Sequence, residues 1–400
     1  MDYFALLPIA RYEEDNEGIS ILSITRQERI IFNKEKSEVV KKIISGPLPN
    51  DWEKDELITS IVDEIIDMGM GYIYERKVYV EEYKAKREIR MKGLLQGVPI
   101  LEDVYIDLNG PRLQAEDELS TQKIISNKCK SCMSGIAKEN ILNWDKIIKS
   151  FNRLILLITK RYVIIGGDPF GRREELITIL KKIRKEKGKE VDIVIHTNGM
   201  FINNIENIDI IKEYKAKIVL SVFEKNNSAE DDEYITRIEK TMKNLRDNNI
   251  DFDSTYVGNE DSTFREKIQE HGIVFTNEAH CYSKGDRIDF LTSKERSNMF
   301  LDEYIQNDEV KGCLYRRLTI SAEGKYKVCP HMDDITETNS SDLDYIFEND
   351  LQSKYWDKSK KNYSGCSKCR YVNCCKNCIL LDEGIKNGDM MLADICDKRL

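Results

Sequence analysis

The sequence has no net positive charge, no long apolar run and very little histidine. Its 62 basic residues are outnumbered by 71 acidic ones, a net charge of −9. General binding to nucleic acid or to an anionic membrane therefore has no electrostatic support, and a small neutral or basic partner is easier to accommodate. The longest apolar stretch, Leu154 to Ile165, is broken by Thr159, Lys160 and Arg161, far short of the ~20 residues that a bilayer span needs. The opening MDYFALLPIARYEEDNE holds only a short apolar run with acids directly behind it, which is neither a signal peptide nor an anchor. The expected location is cytoplasmic. Internal repeats and low-complexity segments are absent. So is a P-loop, since GKYKV at Gly324 is too short for one, and no nucleophile–base constellation is visible. Of the four histidines, His196 ends an apolar strand beside Thr197 and Asn198 and reads as a contact to ligand or backbone. His331 follows Cys329-Pro330 as either a supporting donor or a solvated loop residue, and His271 and His280 have no recognisable partner.

What the chain does have is cysteine. Eight of its eleven fall after Gly312: Cys313, Cys329, Cys366, Cys369, Cys374, Cys375, Cys378 and Cys396. The dense part reads CSKCRYVNCCKNC, with one CxxC at Cys366 and Cys369 and another at Cys375 and Cys378. Such pairs put two thiols on one tight turn, where both sulfurs reach one metal or one cluster edge. In a reducing compartment clustered cysteines are ligands more often than disulfides, and an odd total argues against a closed disulfide framework. On spacing alone, structural zinc and iron–sulfur remain equally compatible.

At 400 residues the chain is long enough for two or three domains. Residues 1–82 read as a separate winged-helix-like unit. Strand-like runs cover Tyr3 to Arg11, Ile19 to Thr25 and Arg29 to Asn33, helical patterns cover Ser37 to Ser45 and Glu56 to Met68, and a ribbon covers Tyr72 to Val80. Neither helix carries a basic stripe, so DNA binding is disfavoured. The order of elements around IIFNKEKSEVVKKIISG resembles the peptide-recognition domain that precedes many ribosomal-peptide-modifying enzymes. That resemblance implies a leader peptide adding a strand to the edge of the wing; the alternative is a structural cap.

Residues 83–117 read as a polar connector. From 118 to 280 strand and helix patterns alternate, which predicts a parallel α/β unit. Strands are expected at Leu119 to Ile125, Tyr162 to Ile165, Val191 to His196, Ile218 to Phe223, Asp253 to Val257 and Ile273 to Phe275, forming a partial (β/α)6 barrel. Residues 281–400 form the cysteine-rich tail. At the end of the second expected strand stands Gly166-Gly167-Asp168-Pro169-Phe170. Two glycines there would let a ligand approach the backbone, and the acid beside them would receive an ammonium group; the bland alternative is a tight βα turn.

The combination is more specific than any one part. ISNKCKSCMSG, with Cys129 and Cys132, follows the first expected strand; GGDP follows the second, and HTNGM, with Asn198, the third. Together with the tail cysteines, this resembles the radical S-adenosylmethionine (SAM) enzymes that carry a SPASM extension, over Glu118 to Leu400. The tail is closest to the maturases of the grasp-with-spasm peptide systems. It ends in a shortened Cys375–Cys378 interval, although Cys374 restores the usual spacing at the expense of the interval before it; Cys374 is otherwise a spare.

The resemblance implies a radical SAM-type peptide-modifying oxidoreductase. Gly166, Gly167, Asp168, Pro169 and Asn198 would contact S-adenosylmethionine, and Cys129 and Cys132 would hold its 4Fe-4S cluster. A deoxyadenosyl radical would abstract hydrogen from a ribosomally made precursor peptide. Two auxiliary 4Fe-4S clusters are implied: one on Cys366, Cys369, Cys375 and Cys396, the other on Cys313, Cys329 and Cys378 with Cys281 or an outside group as fourth ligand. The chain departs from the family where three cysteines are expected. Aligned on Cys129 and Cys132, the first ligand falls on Ile125, and Ser131 replaces the usual aromatic. Three readings stay open: a working enzyme with an unusual cluster, a degenerate adaptor that recruits the peptide for a partner maturation enzyme, and a zinc-binding scaffold.

Overall fold

The fold is taken from a computed structural model that describes residues 2–15, 18–23, 25–26, 28–80, 100–111, 123–124, 142–223, 231–258, 263–275, 277–282, 304, 307–308, 310, 314–330, 332, 334–335, 343–357, 359–362, 367–369 and 371–374. The N-terminal unit comprises β1 (Tyr3–Leu6), β2 (Ala10–Asp15), β3 (Gly18–Ser23), β4 (Glu28–Asn33), α1 (Lys34–Ser45), α2 (Glu56–Asp67) and β5 (Gly71–Tyr74). Strands β2, β3 and β4 form an antiparallel sheet in that order, and β1 pairs antiparallel with β5. Each helix starts where a side chain caps it. Asn33 Oδ1 accepts from Lys36 N at 3.0 Å, and Asp55 Oδ1 accepts from Leu57 N and Ile58 N. The alternating residues Ile19, Ile21, Ile30 and Phe32 meet Val40, Ile43, Ile61 and Ile65 in one core.

Two expectations need correcting in this unit. The run from Tyr3 to Arg11 is two strands, because the chain turns at Leu7, whose N–H donates to Met70 O at 2.8 Å. The ribbon expected at Tyr72 to Val80 is a single short strand, β5, whose partner is β1 rather than its own continuation.

The larger unit is built from β6 (Ile100–Asp107), β7 (Lys123–Ile124), α3 (Trp144–Leu154), β8 (Ile158–Ile165), α4 (Arg173–Lys187), β9 (Asp192–Thr197), α5 (Ile205–Tyr214), β10 (Lys217–Phe223), α6 (Asp231–Asp247), β11 (Phe252–Gly258), α7 (Thr263–Glu270), β12 (Asn277–Tyr282), β13 (Arg317–Ile320), β14 (Tyr326–Lys327), α8 (Leu343–Glu348) and α9 (Ser353–Trp356). One sheet of nine strands runs β14-β13-β6-β8-β9-β10-β11-β12-β7. Its seven inner strands, from β13 to β12, pair in parallel, and β14 and β7 pair antiparallel at the two edges. The parallel α/β expectation holds, and four of the six expected strands fall on β8, β9, β10 and β11; the first and the last need correcting. The first parallel strand is β6, inside the stretch expected to be connector. Of the strand expected at Leu119 to Ile125, Lys123–Ile124 is an antiparallel edge piece on β12. Ile273 to Phe275 is not a strand, and the last βα unit ends on β12 instead. A seventh parallel strand, β13, comes from the cysteine-rich tail.

The sheet has two unlike faces. One carries Val104, Ile106, Tyr162, Ile164, Ile193, Ile195 and Ile218 into a core with Phe151 of α3, Leu176 and Ile179 of α4, and Ile208 of α5. The other carries a small apolar patch of Tyr105, Val163, Ile165 and Val194 among buried polar residues: Asp103, Asp107, His196, Ser221, Thr255, Arg317 and Thr319. Charge explains why β6 escaped notice. Asp103 sits mid-strand between two guanidiniums, Arg161 on β8 at 2.6–2.7 Å and Arg317 on β13 at 2.7 Å. Burial pushes the Asp103 carboxyl up, but Arg317 and then Arg161 together hold it below its ordinary value. A carboxylate that looks like loop composition is satisfied by partners 58 and 214 residues away.

The tail is also braced from the other side. Gly324, in the turn between β13 and β14, lies so close to α3 that a Cβ there would meet Lys146 Cβ at 2.4 Å. Ser150 Oγ donates to Gly324 O and Tyr326 OH donates to Ser150 O, both at 2.7 Å. No helix among the described residues is long and apolar enough to cross a membrane. Replacing Asp103 by Ala removes the buried carboxylate that Arg317 and Arg161 share. The expected loss is about 3–5 kcal/mol of unfolding free energy, checked by urea denaturation against Arg153→Ala, whose pair with Asp344 is exposed.

Candidate functional site

The carboxyl ends of β6, β8 and β9 are adjacent, and the turns that follow them are tied into one unit. After β6 the chain turns at Asn109, whose N–H donates to Asp107 Oδ1 at 2.8 Å. The turn then zips onto the one after β8. Leu108 N donates to Ile165 O at 3.0 Å, Gly110 N to Gly166 O at 2.7 Å, and Asp168 N to Pro111 O at 2.8 Å. After β9, Thr197 Oγ1 accepts from Gly199 N and Asn198 Oδ1 from Met200 N, each at 3.0 Å, while Asn198 Nδ2 reaches Pro111 O at 3.4 Å.

Gly166 and Gly167 both have positive φ, 97° and 61°. A Cβ on Gly166 would lie 2.0 Å from Asp107 Oδ1, and one on Gly167 would lie 2.3 Å from Gly110 O. These glycines are required, but what approaches their backbone is the chain's own preceding turn. Asp168 is likewise engaged internally. It is fully buried; Oδ1 accepts from Phe170 N at 3.1 Å, capping the short 3-10 turn that begins at Pro169, and Oδ2 accepts from Phe201 N at 3.0 Å. Burial raises its carboxyl above the ordinary value against these donors. Each Asp168 oxygen thus holds one backbone N–H group, from the turns after β8 and β9. Gly166, Gly167, Asp168, Pro169 and Asn198 are thus brought together, as a rigid floor at the strand ends.

His196 pairs in register with Val219 of β10 and lies on the polar face of the sheet. Among the described residues its buried Nδ1 has no hydrogen-bond partner, nor have the buried Thr255 Oγ1 on β11 and Thr319 Oγ1 on β13. Buried polar atoms left unpaired by the protein fit a polar ligand lying over this face. The donor set at the mouth includes two groups that the sequence did not flag, Asp107 and the Asn109–Pro111 turn. Their signal, DLNGP directly after an apolar run, was present but read as connector.

The metal ligands are harder to place. Cys129, Cys132, Cys313, Cys366, Cys375, Cys378 and Cys396 lie outside the described residues, as does Ile125. Cys281 is on β12. Cys329 is buried two residues beyond β14, in the main apolar core. Cys369 is half-buried, its Sγ accepting from Tyr371 N at 3.4 Å, and Cys374 is fully buried. Among the described residues no three His, Cys, Asp or Glu side chains gather as a metal site, so no step is routed through a cluster below.

No family model matches this chain, and no curated protein does. Solved structures give distant likenesses. Streptococcus suis SuiB bound to its precursor peptide SuiA is 13% identical over 94% of this chain and 95% of that one, with a TM-score of 0.36. SuiB alone is 13% identical over 93% and 94%, at 0.39. BtrN in complex with AdoMet and 2-DOIA is 11% identical over 68% and 92%, at 0.34. At such scores shared architecture is not established, and function is argued from the chain's own residues.

His196 makes the interior titratable. Burial, then the nearby Arg161 charge, lower its pKa from 6.5 to about 4. A depressed folded value means that stability is intact above pH 6.5 and declines as the pH falls toward 4, by about 3 kcal/mol in all. The raised Asp168 carboxyl works in the opposite sense, so the expectation is set as a difference: His196→Gln removes the His196 component from the pH dependence of chemical unfolding, while wild type retains it.

Proposed function

We propose that the chain is an iron–sulfur peptide-maturation protein of the radical SAM/SPASM class, acting on a ribosomally made precursor peptide. The observation that carries the reading is the convergence of the GGDP and TNG turns on the carboxyl edge of adjacent parallel strands, interlocked through Asp168 and Asn198. Ligands of parallel α/β sheets bind at that edge. Unpaired His196 Nδ1 and Thr255 Oγ1 on the adjoining face support a polar occupant.

Cys129 and Cys132 would hold a cluster, and S-adenosylmethionine would supply the radical chemistry. The chain's own part is to hold that nucleotide over the rigid turns and to offer His196, kept neutral by burial, as an uncharged hydrogen-bonding group. The tail cysteines would carry the auxiliary clusters in the two sets already described. The N-terminal sheet, whose β4 is an edge strand beside α1, would take the leader peptide as an added strand.

One observation favours a second reading. The loop that carries Cys129 and Cys132 offers two cysteines where three are customary, with Ile125 at the first position, and this suits an adaptor that recruits peptide for a partner enzyme. Protein purified and reconstituted without oxygen separates the two. The enzyme reading expects Cys129→Ala/Cys132→Ala to lose about one cluster of iron and sulfide together with 5′-deoxyadenosine formation. Unchanged iron and no nucleoside from wild type would replace it with the adaptor. Zinc in place of iron would leave the scaffold.

A further inference from the structure

Part of the outer face of the β2-β3-β4 sheet carries buried polar side chains. Glu13 pairs in register with Ser20, Arg29 lies diagonally across on the same face as the register partner of Leu22, and the side chain of Arg29 is 1% exposed. One guanidinium nitrogen of Arg29 donates to Ser20 Oγ at 2.6 Å and to Glu13 Oε2 at 2.9 Å. The other donates to Cys374 Sγ at 3.0 Å, and the guanidinium lies 4.6 Å from the centre of the Tyr371 ring. Tyr304 OH donates to the remaining Glu13 oxygen. The cover on this face is therefore the cysteine-rich turn at 371–374, more than 300 residues away along the chain.

That turn is stiff. Cys374 N donates to Tyr371 O and Val372 N to Cys369 O, each at 3.0 Å, and Asn307 Nδ2 donates to Asn373 O at 2.9 Å. A charged donor inside a low-dielectric contact strongly favours keeping its acceptor, since separating them leaves a buried guanidinium short of a partner. Cys374 thus has a specific occupation, facing the N-terminal unit, while its neighbour Cys375 belongs to the CxxC.

We propose that Cys374 is a docking thiol: it seats the N-terminal unit on the cysteine-rich turn through Arg29 and leaves metal ligation to Cys375. The consequence is mechanical. Arg29 is on β4, an edge strand of the described sheet, so a displacement of that edge is passed through Arg29 to the residue before Cys375. The metal part of this inference rests on the tail cysteines being ligands, as proposed above; the docking part does not.

The test uses the full chain and two readouts. In hydrogen exchange, Arg29→Met and Cys374→Val are each expected to speed exchange at both 18–33 and 367–374 by about tenfold, with Arg153→Met leaving both regions unchanged. In metal analysis after anaerobic reconstitution, Cys374→Val keeps the wild-type iron and sulfide, whereas Cys375→Val loses about one cluster. Should Arg29→Met fail to fold, Cys374→Val, with the Arg29–Glu13 pair intact, carries the exchange arm alone. Faster exchange confined to one of the two regions, or equal metal loss from both cysteine variants, overturns the proposal. Wild type without bound metal refutes the ligand reading, and exchange then decides docking by itself.

Discussion

Asp103 holds the two halves of the larger unit together by charge. Its carboxylate takes Arg161 from the strand on one side and Arg317 from the strand on the other, and Arg317 also lies 4.8 Å from the Tyr105 ring centre. Without that carboxylate, the buried guanidinium that β13 brings into the sheet would lose its ion-pair partner at 2.7 Å, and the seating of β13 beside β6 would weaken. Through β13 the described part of the tail extends the parallel sheet, and Gly324 and Tyr326 of its hairpin pack directly on α3.

From that junction the rest follows in steps. A tail fixed to β6 buries Cys329 in the main apolar core with Ile320, Tyr326 and Val328. The same β6 ends in the Asp107–Pro111 turn, which locks Gly166, Gly167 and Asp168 at the mouth. At its far end the tail covers the N-terminal sheet through Tyr371 and Cys374. Three segments separated widely in sequence are thereby tied through buried polar groups rather than through apolar packing alone, an arrangement that specifies geometry because each buried partner is costly to leave unpaired.

The amphipathic helices were legible because their apolar positions recur at helical spacing: Leu176, Ile179, Leu180 and Ile183 of α4 are all buried. So were β8 to β11, which are apolar runs between helices. Strand β6 was not, since Asp103 and Asp107 read as connector until their partners on other strands are known. The GGDP turn was found for its glycines, but periodicity and spacing cannot say whether a ligand or the chain's own backbone fills the space above them. Here Asp107 and Gly110 fill it. Docking of the first unit on the last was invisible for a related reason: Arg29 and Cys374 become neighbours only through the fold.

What the molecule does depends on what its thiols hold. X-ray absorption at the iron and zinc edges, on full-length protein isolated without oxygen, tests this most directly. The account predicts iron in an all-sulfur shell with iron–iron scattering. Zinc in a thiolate shell, with iron absent, would contradict it.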